Sequence, residues 1–218
     1  TPESMSLKKA EIESKPDWVQ VGGQIDGPDS AGRHGRAVAC SHDGTRIIVG
    51  GNLFNSSVGK VIVYDWNGSA WTQVGNVLTG VASNVPQFGH KVAISGDGNI
   101  IAVAAPYEHV GGDSNVGTVR VYYLDASTGW TILPDSGILT QATGLVDVFV
   151  GETAEDFLGY GGVILSYDGY TITMSEEGQD IPEKSGVGRA RVCTYAHGTG
   201  SEKGREGVGT TAGDGWGE

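Results

Sequence analysis

The sequence predicts an all-β chain, an array of about three four-stranded units, and three observations predict it. An order of residues returns twice, Asp-Gly pairs sit between short apolar runs, and the repeated region has no helical hydrophobic period. The first copy runs Trp18-Val19-Gln20-Val21-Gly22, then His34-Gly35, the apolar run 37–40, Asp43-Gly44, Ile47-Ile48-Val49-Gly50-Gly51 and Val58-Gly59-Lys60-Val61-Ile62-Val63-Tyr64. The second gives Trp71-Thr72-Gln73-Val74-Gly75, Phe88-Gly89, Val92-Ala93-Ile94, Asp97-Gly98, the run 100–106 and Val116-Gly117-Thr118-Val119-Arg120-Val121-Tyr122. A looser third copy runs from Trp130 through Phe157-Leu158-Gly159, Val163-Ile164-Leu165, Asp168-Gly169, 171–174 and Val187-Gly188-Arg189-Ala190-Arg191-Val192, stretched by insertions.

Each copy reads as four strands. The apolar runs are four to six residues long, rich in β-branched side chains, and bounded by Gly, Asn, Asp and Ser. The pairs Asp43-Gly44, Asp97-Gly98 and Asp168-Gly169 fall where a hairpin needs residues that tolerate positive φ. Four strands per roughly fifty residues is the pattern of propeller blades, whose sheets bury their faces against one another. The expected architecture is therefore a β-propeller-like array of about three blades, partial or open, spanning 18–195 as units of about 18–70, 71–129 and 130–195. Residues 1–17 read as a flexible segment or a short helix over 4–16 that Pro16 stops. Residues 196–218 are glycine-rich and nearly devoid of apolar side chains, which predicts a disordered tail. Within that tail, Gly215-Trp216 looks like Gly129-Trp130, the entry to an outer strand.

Composition narrows the function classes. Glycine and proline make up about one-fifth of the 218 residues, a turn-rich globular composition below the low-complexity range. The formal net charge of −12 argues against nucleic acid and anionic membranes as partners. No apolar run is long enough to span a bilayer, and the first thirty residues lack the apolar stretch of a signal peptide. The start at Thr1 reads as a leader removed or a piece of a longer protein.

The order Phe-Gly, short apolar strand, Asp-Gly turn, apolar strand ending in Gly-Ala-Pro or similar, then Gly-x-Val-x-Val-Tyr resembles the FG-GAP repeats of integrin α-subunit β-propellers. Phe88-Gly89 with Ala104-Ala105-Pro106 carries the resemblance best, and His34-Gly35 with Val49-Gly50-Gly51 follows. The Trp-x-Gln-x-Gly strand resembles a secreted or surface-displayed branch of these repeats. The resemblance implies a non-enzymatic extracellular or cell-surface module, the secretory lumen included, that binds protein or glycan through blade loops or scaffolds other chains. It also implies a calcium loop of type Asp-x-Asp-x-Asp-Gly. The stretches 40–44, 95–98 and 166–169 keep only the last acid, so Asp43, Asp97 and Asp168 are the calcium candidates, but a plain hairpin turn is the expectation. Two alternatives stand beside the binding module: a structural subunit whose open sheet edges are completed by partner chains, and the accessory propeller of a larger hydrolase.

No enzyme motif appears: there is no nucleophile elbow, phosphate loop or Cys-x-x-Cys. His34, His42, His90, His109 and His197 lack the spacing of a zinc site and read as turn or strand-edge residues. Neither a catalytic residue nor a cofactor is expected. Acids cluster in predicted loops at Glu108 and Asp113, at Glu152, Glu155 and Asp156, and at Glu176, Glu177 and Asp180. Solvated loop charge is their default reading, and they are also the candidate ligand or partner loops. Trp18, Trp71 and Trp130 occupy one repeat position, which predicts a shared role covering the edge between blades, with a ligand-stacking cage as the alternative. Cys40 is expected to be a buried free thiol, the alternative being a bridge to Cys193 in an oxidising compartment. Asn55-Ser56-Ser57 and Asn67-Gly68-Ser69 fit the glycosylation sequon, in keeping with secretion.

Overall fold

The computed structural model describes residues 18–81, 85–132, 148–178, 186–195 and 205–207; the expected helix over 4–16, Asp180, His197 and Trp216 lie outside them. The described residues fold as three antiparallel sheets in sequence order. The first holds β1 (Ala37–Cys40), β2 (Arg46–Gly51) and β3 (Lys60–Trp66), whose far edge is shared by β4 (Trp71–Gln73) and β5 (Leu78–Thr79). The second repeats it with β6 (Lys91–Ile94), β7 (Ile100–Ala105) and β8 (Thr118–Asp125), edged by β9 (Gly129–Ile132) and β10 (Val148–Val150). The third holds β11 (Val163–Leu165), β12 (Thr171–Glu176), β13 (Arg189–Thr194) and β14 (Arg205–Gly207), the last falling inside the glycine-rich stretch. Among the described residues the one helical segment is a single turn at Phe54–Ser57, left-handed at Asn55 and Ser56.

The sheets do not coincide with the sequence copies. Trp71 opens the second copy, yet it pairs with Trp66 at the edge of the first sheet, and Trp130 likewise pairs with Leu124 of the second. The first and second sheets are thus each finished by the start of the next copy, which ties consecutive units together covalently and by a strand ladder. The stretched spacing of the third copy is an insertion into this outer strand. Residues 74–77 separate β4 from β5, whereas 133–147 separate β9 from β10.

Alternation along the strands decides which face meets which sheet. In β7, Ile101, Val103 and Ala105 join Ile48, Val61, Val63, Leu78 and Phe88 in a core between the first and second sheets. The intervening Ala102 and Ala104 join Ala93, Val119, Leu158, Val163, Ile172 and Met174 between the second and third. The middle sheet is buried on both faces, which explains why β7 reads as an unbroken apolar run. A fully buried Val, Leu, Ile or Phe contributes about 1.5–3 kcal/mol.

The tryptophans confirm the repeat in three dimensions. Trp71 Nε1 donates to the carbonyl of Val21 at 2.9 Å, and Trp130 Nε1 to that of Val74 at 3.0 Å; Val21 and Val74 are themselves repeat equivalents. Beside each carbonyl stands a glycine with positive φ, Gly22 and Gly75, and a Cβ on Gly75 would sit 2.7 Å from the Trp130 ring. Trp18 departs from the shared role and is fully exposed.

Two expectations are corrected. Cys40 is a free thiol, so no bridge joins it to Cys193, but it is exposed rather than buried. Its counterparts Ile94 and Leu165 pack half-buried against the preceding sheet, and no such sheet among the described residues covers Cys40. Glu176 lies at the end of β12, fully buried, and not in a solvated loop.

Candidate functional site

The three Asp-Gly turns share one local construction, Ser-x-Asp-Gly. Ser95 Oγ donates to Asp97 Oδ1 at 2.6 Å and accepts from the Ile100 amide at 3.0 Å, and the Asn99 amide also donates to Asp97 Oδ1. Ser41 with Asp43, and Ser166 with Asp168, repeat the arrangement. The Ser41 hydroxyl, followed by the Thr45 amide and hydroxyl, holds Asp43 at about 2. The Ser166 hydroxyl and Tyr170 amide lower Asp168, while burial opposes but does not cancel the hydrogen bonds that lower Asp97. These carboxylates are spent on their own turns. Among the described residues no three His, Cys, Asp or Glu side chains converge as a metal cage.

Most of the other candidate acids are also structural. Glu108 is buried and accepts from Thr118 Oγ1 at 2.5 Å and from Arg120 Nη1 and Nη2 at 2.7 Å each. Asp156, fully buried, caps the loop after β10 by accepting from the Glu152 and Thr153 amides and from the Thr153 hydroxyl. Glu155 accepts from Ser114 and Asn115 and so ties two loops together. Asp113 is exposed in a tight turn that exchanges backbone hydrogen bonds with Val110. Glu152 is exposed and bonds Arg189 and Arg191, and the Arg189 hydrogen bond leads the effects that lower its pKa. Arg191 Nη2 stands 2.9 Å from Glu176 Oε1 without an aligned hydrogen bond. Burial, only partly offset by Arg191 and Arg189 and reinforced by Asp156 and Glu152, pushes Glu176 up to about 7.

One candidate acid, Glu177, faces an open cleft. With Gly178 and the rings of Tyr107, Phe157 and Tyr160 it lines a hollow of about 360 Å³ where loops of the second and third sheets meet. The rings are held edge to face: Tyr107 lies 5.6 Å from Phe157 and 6.0 Å from Tyr160, and Phe157 lies 6.1 Å from Tyr160. Such contacts fix ring orientation without a covalent link. Burial, then the neighbouring Tyr160 hydroxyl, raises the Tyr107 phenol, so it stays a neutral donor and acceptor.

Behind the cleft runs a ladder built from one repeat position. Arg36, His90 and Tyr160 each follow the glycine that opens a first strand. Arg36 Nη2 lies 3.1 Å from His90 Nε2, and the His90 ring lies 5.0 Å from that of Tyr160. Burial, helped by Arg36 and Lys91, lowers His90 to about 4, so it is neutral at pH 7. Arginine can only donate, so Nε2 accepts and Nδ1 carries the proton; that buried N–H has no partner among the described residues. From the sequence His90 reads only as a turn or strand-edge residue and Arg36 and Tyr160 are not singled out, although superposing Gly35-Arg36, Gly89-His90 and Gly159-Tyr160 puts the ladder on one line.

A second hollow of about 240 Å³ lies between the 23–26 loop and Tyr64, Ala70 and Trp71. No helix among the described residues is long and apolar enough to cross a membrane. Comparison with protein-family models and with curated proteins returns no match for this chain.

Proposed function

We propose that the chain is a non-enzymatic binding module of β-propeller type, an extracellular or surface-associated relative of FG-GAP repeat proteins, and that it takes a glycan in the Tyr107–Phe157–Tyr160 cleft. The cleft is the observation that carries this reading. Aromatic faces held rigid by one another stack on the C–H face of a sugar ring, the Tyr107 and Tyr160 hydroxyls exchange hydrogen bonds with sugar hydroxyls, and the exposed Glu177 carboxylate accepts from them. All five residues lining the cleft come from loops after strands, and loops held on a rigid stack of sheets are where binding residues gather. A protein ligand would need a larger apolar surface than a hollow of about 360 Å³ provides.

A glycan array followed by calorimetric titration of the best ligand tests the reading. Tyr160→Ala is expected to weaken binding at least tenfold and Glu177→Gln by a smaller factor, with both variants keeping the wild-type melting midpoint to within a few degrees. An array without a hit, or a hit indifferent to Tyr160→Ala, rejects it.

A further inference from the structure

We infer that copies of this chain associate head to tail, with the outer face of the third sheet of one copy seated on the outer face of the first sheet of the next. The two interfaces inside the chain follow one rule. In the contact between the second and third sheets, Ala93 of β6 lies in one cluster with Val163 of β11, and Leu165 packs against that cluster. In the contact before it, Ala37 and Ala39 of β1 pack against the cluster that holds Val92 of β6. Moving the rule one unit onward, the counterpart of Ala93 is Ile164, and the counterpart of Val121 is Val192. Their side chains are 66% and 46% exposed. Moving it one unit back, the counterparts of Val163 and Leu165 are Val38, also 66% exposed, and the exposed thiol Cys40.

The two open faces are thus the two halves of an interface already made twice within the chain, and a second copy continues it. The contact centres on the first strands, because Val49 and Ile62 beside Val38 are already buried. Trp18 is a second, independent sign of an unfilled place. Its counterparts Trp71 and Trp130 each bond to a preceding unit, whereas Trp18 is fully exposed. Because the two faces differ, the contact is heterologous and builds chains or a ring rather than a two-fold dimer. A net charge of −12 on each copy opposes it, so added salt strengthens the association.

Light scattering over a dilution series of the full chain, at low and raised salt, tests this together with Val38→Asp and Ile164→Asp. Wild-type mass is expected to at least double with concentration, and each variant alone to stay at the monomer mass. An equimolar mixture of the two variants, each with one intact face, is expected to form a one-to-one dimer and stop there. A wild-type monomer at every concentration and salt would mean that another segment or a different partner covers these faces, and it overturns the proposal. So does a mixture that does not dimerise, or an association that Ile164→Asp leaves intact. Ile164→Cys supplies a reading that does not depend on the aspartates folding well. Mild oxidation with diamide should trap a covalent dimer through Cys40 of the next copy, and a dimer that survives Cys40→Ser rejects the contact.

Discussion

The imidazole of His42 meets the ring of Tyr167 edge-on, centroids 5.2 Å apart, over the backbone of Gly96. These residues occupy one position in three successive turns, and the turns are joined by backbone bonds from His42 N–H to the Gly96 carbonyl and from Gly96 N–H to the Tyr167 carbonyl. The middle turn carries glycine because a Cβ there would overlap the Tyr167 ring. That ring is exposed and can yield, so Gly96→Ala is expected to cost under about 1 kcal/mol while moving the His42 ring resonances in NMR spectra. Unmoved resonances would show that the two rings are not in contact.

Gly59 is the opposite case. Its φ is +83°, and a Cβ would run into the backbone of Phe88, which cannot yield. Gly59→Ala is expected to destabilise by about 2 kcal/mol or more. Gly111, with φ +66° and open space around it, should lose only the conformational part, about 1 kcal/mol. Equal losses in urea titrations of the two variants would refute the close approach.

Trp130 and Trp18 share a sequence position but not an environment. Trp130→Ala empties a buried site and loses the bond to Val74, at about 3–5 kcal/mol. Trp18→Ala in dilute monomer should change stability by no more than about 0.5 kcal/mol. Chemical denaturation of both variants distinguishes them.

The buried pair Glu108–Arg120 is costly to break from one side only. Arg120→Met leaves a buried carboxylate with the Thr118 hydroxyl as its remaining partner and should destabilise by about 3–5 kcal/mol, while adding Glu108→Leu should recover most of that. A double variant as unstable as the single one would contradict this.

Glu176 gives the fold a pH dependence of unusual sign. Its ordinary value is 4.5 and its folded value about 7, so between these the folded state holds one proton more than the unfolded state. Stability therefore falls as pH rises from about 4.5 to about 7. Glu176→Gln should flatten that slope in melting curves. An unchanged slope would show that Arg191 and Arg189 keep the group ionised.

The Ser-x-Asp-Gly turns should be indifferent to chelator, since Asp43, Asp97 and Asp168 take their hydrogen bonds from their own turns. Ser95→Ala, by contrast, orphans the half-buried Ile100 amide and should cost about 1–2 kcal/mol. A drop in melting midpoint on adding EDTA would bring a metal back into the account.

The sequence by itself determined the strands, the Asp-Gly hairpins and the threefold return, because period-two alternation and positive-φ turns are local requirements written in neighbouring residues. It also named Glu177, as one of eight candidate loop acids, without a cleft to place it in. Only the tertiary structure decided which acids are solvated. Glu108, Asp156 and Glu176 look alike in a loop-by-loop reading, and they differ because Arg120, the Glu152 and Thr153 amides, and Arg191 arrive from other strands or from a fold of the loop. The exposure of Cys40, the boundary shift that gives Trp71 to the first sheet, and the meeting of Tyr107 with Tyr160 depend on how whole sheets stack, and no short window of sequence carries that information.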